Sequence, residues 1–195
     1  MSASALTPAE HRALRELYAL ARQLASHWSA LAESLDGEAR DVLRVGAAVA
    51  RELLRELPER TAPHDLHGRV AAQGVGARLA DARNGVGDTF LERAQALRFA
   101  VLDVQHLTTL LGYLERLAQT RGDAALAAFH RGWREKLSLS EADALEVAVA
   151  AGEDPDGAIA PLRPSAAGRA AHGLANAVGT AGEWVDRQAA RARRA

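Results

Sequence analysis

Asp103 and His106 stand three residues apart in RFAVLDVQHLTTLLGYL, residues 98–114, a stretch apolar enough to form the buried centre of a helical domain. On a helix that spacing puts a carboxylate and an imidazole on one face, as metal-ligand pairs are arranged in helical bundles. Gln105 and Thr109 share another face. A buried carboxylate is costly unless it is paired or bound to a metal, so Asp103 needs a partner, and His106 is the nearest in sequence. Two readings follow. In one, Asp103 and His106 hydrogen-bond each other or a neighbouring Arg as a polar network within the core. In the other, they begin a metal or small-ligand site completed by His172 and Glu183 from the last helix, or by His27 and His130.

The donor count limits the second reading. Di-iron sites of ferritin-like bundles need two Glu-x-x-His pairs and two further carboxylates. This chain has no Glu-x-x-His and only the single Asp103-Val-Gln-His106, so a mononuclear centre with Asp103, His106 and His172 as ligands is the most the spacing supports. His64 and His67, in PHDLHG, form a second pair at spacing three. Asp65 between them reads as a helix cap, no third ligand lies nearby in sequence, and the pair reads as surface. Along the last helix Arg169, His172, Asn176 and Glu183 fall roughly on one side, either lining a polar groove or facing outward while Leu174, Val178, Ala181 and Val185 pack inward. Phe129, Trp133 and Leu137 recur at spacings of four, a stripe that anchors a core or marks an interface hot spot. The glycines of QGVGARL and RNGVGD follow no strand and precede no Lys-Ser/Thr, so no phosphate-cradling loop is indicated. The absence of cysteine removes disulfides, thiolate zinc sites and cysteine nucleophiles together. The residues name no cofactor.

The elements that must position these groups are helices. Thr7, Pro8 and Glu10 form a capping-box pattern, followed by Leu14, Leu17, Ala21, Leu24, Trp28, Leu31 and Leu35 at alternating spacings of three and four. This first helix is on the order of 40 Å long. Asp36 and Gly37 break it. A second helix runs from about Glu38 to Leu57, where Pro58 stops it, and the short break predicts an antiparallel hairpin with the first. Residues 66–82 read weakly as helix because Gly68, Gly74 and Gly76 each cost about 1 kcal/mol against Ala there. Asn84-Gly85 reads as a turn. Thr89 and Glu92 open a helix to about Thr120, which is expected to sit centrally and touch helices on several sides. Asp123 caps a shorter helix to about Leu137, and Ser140 another to about Ala151. A last helix, rich in Ala and Gly, runs from about Ser165 to Arg191.

The expected fold is all-α: an elongated antiparallel bundle of about six helices, with the helix near residues 90–120 at its centre. All 195 residues form one domain, with a frayed basic end at 188–195. The composition agrees, with 48% hydrophobic residues but only 4% aromatic ones, so the apolar content is mostly Ala, Leu and Val. The net charge of -1, with both signs interspersed, argues against a dedicated nucleic-acid or acidic-lipid binder. The one basic run, RQAARARRA, reads as a solvated helix end. No apolar run is long enough for a transmembrane segment and no signal peptide is apparent, so a cytoplasmic location is expected. A single lysine, Lys136, among many arginines fits a GC-rich bacterial genome. The function expected is that of a non-catalytic interaction or scaffold protein, a homo-oligomer or the binder of a protein partner. The competing expectation is a bundle, an enzyme included, that binds a metal ion or small ligand through its Asp/His centre.

Overall fold

The computed structural model describes residues 5–66 and 91–162. The weak helix at 67–82, the Asn84-Gly85 turn, Thr89, the last helix from Ser165 and the basic end 188–195 lie outside the described residues. Every described element is helical: α1 (Pro8–Ser34), α2 (Gly37–Thr61), α3 (Arg93–Arg121), α4 (Ala124–Ala150) and the four-residue α5 (Pro155–Ala158). One isolated bridge joins Glu92 to Pro161.

The capping box of α1 forms as its spacing predicts. Glu10 N–H donates to the Thr7 hydroxyl at 3.2 Å and Thr7 N–H donates to the Glu10 carboxylate at 2.8 Å. The stripe from Leu14 to Leu31 is buried throughout. The break is two residues long, with Gly37 in the left-handed region at φ +57°, and it turns α2 back along α1.

Pro58 does not stop α2. It lies inside the helix, which continues to Thr61. A proline this close to the C-terminus removes one backbone bond, and fully buried Thr61 anchors the turn that follows. Its hydroxyl lies 3.0 Å from the Leu57 carbonyl and 2.7 Å from the Leu66 carbonyl, and it pairs with the Tyr18 hydroxyl of α1 at 2.7 Å.

Gly122, at φ +82°, ends α3 by donating back to Gln119 while Asp123 N–H reaches the Ala118 carbonyl. Asp123 then caps α4 through Leu126 N–H at 2.9 Å. The two shorter helices expected after Asp123 are one unbroken helix. The LSLS run between them holds neither Gly nor Pro, serine costs a helix interior little, and Ser140 is buried in mid-helix rather than capping a new one.

The four long helices form a bundle in which α1 packs on α2 and α3, and α4 packs on the same two. Side-chain ties run antiparallel across each contact. Arg121 near the end of α3 meets Glu10 at the start of α1, whereas Arg93 at the start of α3 meets Asp36 just past the end of α1. Between α2 and α4, Glu52 meets Lys136 and Glu56 accepts from the Trp133 indole. So α1 and α4 are diagonal and parallel, as are α2 and α3. We call the end holding the start of α1 and the α3–α4 turn the base of the bundle. α3 touches α1, α4 and α5, while Phe99, Leu102, Gln105, His106, Thr109 and Tyr113 remain exposed along its outer side. Among the described residues no helix is long and apolar enough to cross a membrane.

α2 approaches α1 closely at Gly46, where an added Cβ would drive into the six-membered ring of fully buried Trp28. Gly46→Ala should therefore lower unfolding free energy by about 1–3 kcal/mol or more in urea titrations, through overpacking. The same substitution in a Trp28→Phe background should cost clearly less, because the smaller ring leaves room for the methyl group.

Candidate functional site

Asp103 is paired, but not with His106. Its Oδ2 lies 2.5 Å from Nδ1 of His27, across the α1–α3 interface, with the side chains 12% and 5% exposed. His27 lies on the buried face of α1, where Leu24, Trp28 and Leu31 fill the core. A carboxylate at Nδ1 selects the tautomer that carries its proton there and makes Nε2 the acceptor nitrogen. The same contact orients a catalytic base or a metal-bound imidazole. Here His27 Nε2 is itself buried.

His106 turns the other way. Its Nε2 lies 3.5 Å from Glu16 of α1, with both side chains about half exposed. Three residues along a helix is a rotation of 300°, so groups at that spacing still diverge by about 60°. On α3 that angle separates the edge facing α1 from solvent. The expected Asp103–His106 pair is therefore replaced by Asp103–His27 and an exposed His106–Glu16 contact. Gln105 and Thr109 are exposed as well, and Thr108 donates to Glu141 of α4 at 2.9 Å. His172, Glu183 and His67 lie outside the described residues. Asp65, expected to cap a helix, closes the short turn Ala62–His64 in the left-handed region at φ +58°.

A second polar cluster occupies the base of the bundle. Arg121, almost wholly buried, donates from Nε to Glu10 at 2.8 Å and from a terminal nitrogen to Asp123 at 3.0 Å. Burial alone would raise the Glu10 carboxyl. The bonds from Arg121 and from the Thr7 N–H and hydroxyl outweigh it and hold the group below its usual range. Nearby, Glu115 accepts from Arg131 at 2.8 Å and from Gln119 at 3.1 Å, with Arg134 at 3.3 Å. His130 is fully buried at this end of the bundle and edge-on to Phe129. It is far from the Asp103 centre that it was expected to help complete. The neighbouring stripe of Phe129, Trp133 and Leu137 does anchor the core: Trp133 and Leu137 are buried and partly buried Phe129 packs against the same core.

Among the described residues no three of His, Cys, Asp and Glu converge closely enough to hold a metal ion. A cleft of about 220 Å³ opens at the end opposite the base, between Leu35, Ala39, Leu97, Val147 and Ala151. The carboxylates at its mouth, Asp36, Glu38 and Asp154, belong to helix caps and first turns, where acidic groups complement the helix dipole.

The two histidines near Asp103 should behave differently. His27→Ala leaves a largely buried carboxylate without its imidazole and should cost about 3 kcal/mol of stability, whereas His106→Ala should stay within about 0.5 kcal/mol of the parent. Chemical denaturation of both variants checks this, and equal costs would contradict the assignment of Asp103 to His27. Comparison of the chain with protein-family models, with curated proteins and with solved structures gives no match.

Proposed function

We propose that this is a non-catalytic interaction protein that associates with a second copy of itself through the outer face of α3 and α4. The observation that carries the reading is an apolar patch on that face. The Thr108–Glu141 bond and the Glu115–Arg131 pair set the α3–α4 register, and one turn further Leu145 comes level with residue 104. Leu102, Leu145 and Val149 are each half or more exposed there, beside partly buried Val101. Exposed aliphatic residues gathered on one face mark contact surfaces. Exposed Arg98 and Glu146 flank the patch with opposite charges. A two-fold related copy can therefore set apolar against apolar and Arg98 against the second copy's glutamate, the self-complementarity that an isologous contact requires.

A second reading, ligand binding at the buried Asp/His centre, is supported by Asp103 on His27 Nδ1, the outer contact that metal-bound imidazoles receive. Elemental analysis of protein purified without chelator tests it: a stoichiometric transition metal that disappears in His27→Ala would favour this reading over the first.

For the self-association reading, sedimentation velocity across a range of concentrations should show a dimer that grows with protein concentration. Leu145→Asp combined with Val149→Asp should be monomeric with unchanged helical circular dichroism. A parent protein that stays monomeric at the highest concentrations would overturn the proposal.

A further inference from the structure

His130 is the one histidine among the described residues that is fully buried with neither ring nitrogen hydrogen-bonded to a described residue. An unbonded buried imidazole costs stability even when neutral, and when protonated it would present two N–H donors with no acceptor in place.

Each charged group near it is already committed. On α1, Glu10 is held by Arg121 and Thr7. On α3, Glu115 accepts from Arg131 and Gln119 through Oε1 while its Oε2 is ion-paired with Arg134 at 3.3 Å without a hydrogen bond, and Arg121 itself bridges Glu10 and Asp123. Asp123, in the turn before α4, also receives Leu126 N–H, and His64 past the end of α2 acts on it electrostatically. Arg60 of α2 stacks over the Phe129 ring beside His130.

The apolar packing at this end is thin. Ala118, Leu126 and Ala127 form a small buried cluster that Leu6 and Phe129, which also pack on the main core, join to it.

We propose that His130 is an acid-sensitive latch: its protonation releases the base of the bundle while the α1–α2 core above stays folded. Burial outweighs the attraction of Glu10, Asp123 and Glu115 and pushes the imidazole down to about 4 from an ordinary 6.5. The folded state therefore favours the neutral ring. Its contribution is complete above pH 6.5, and it is lost as the pH falls from there towards 4, because the opened state binds a proton that the closed state refuses. Glu10, held below its usual range, loses its own contribution in the same direction, but only as the pH falls through the carboxylate range.

Hydrogen exchange read by mass spectrometry at pH 7 and pH 5, corrected for intrinsic rates, tests the latch in the full chain. One proton taken up on opening changes the opening constant by up to tenfold per pH unit, so amides of residues 118–130 should lose roughly ten- to thirtyfold in protection at pH 5. Amides of residues 43–53 should change little. His130→Leu and the polar, non-titrating His130→Gln should each abolish this acid sensitivity while keeping protection at pH 7, the second variant serving if the first packs poorly. The proposal is overturned if both folded variants keep the parent's acid response, or if the parent loses protection evenly along the chain.

Discussion

The antiparallel register of α1 against α3 is the constraint on which the rest of the bundle depends, and two buried polar ties define it. Glu10–Arg121 holds one end and His27–Asp103 the middle, seventeen residues apart on α1 and eighteen on α3. The Leu and Ala stripes between them would tolerate a slide of one turn with modest loss, since aliphatic surfaces are only weakly directional. The ties would not. A slid register leaves a buried carboxylate facing a leucine and a buried guanidinium without an acceptor, each costing several kcal/mol. These pairs thus contribute less as net stabilisers than as penalties on every other alignment. The hairpins α1–α2 and α3–α4 follow, and with them the outer face that carries Leu102, Leu145 and Val149.

Much of this architecture was legible in local sequence. The Thr7–Glu10 box, the 3/4 stripe of α1, the Asp36-Gly37 break and the Gly122-Asp123 junction all act within a few residues, and each appears where its chemistry requires. Two breaks were read where none exists. Pro58 looks like a stop until Tyr18 bonds Thr61, 43 residues away in sequence, and secures the turn beyond it. Ser140 looks like a cap until α4 is seen to run through it, because no glycine or proline interrupts the segment.

The polar centre was legible in kind but not in pairing. That Asp103 needed a partner followed from the cost of burying charge. That the partner is His27 depends on a contact 76 residues away, and the nearer His106 is a poorer match because a corner helix turns it into solvent. Glu10 shows the same limit from the other side. Its cap role is visible at a spacing of three, whereas its bond to Arg121 spans 111 residues and carries no local signal.

The diagonal placement of parallel α2 and α3 bears on how the chain reaches this state. Each hairpin closes through a two-residue link, so α1–α2 and α3–α4 involve short loops and can form early and independently. α2 ends at the base and α3 starts at the opposite end, so the α1–α3 and α2–α4 contacts form only when one hairpin is laid against the other. Both buried ties lie on that late interface. Laying one hairpin on the other therefore has to bring both ties into place together, and a wrong alignment leaves unpaired charge in the interface.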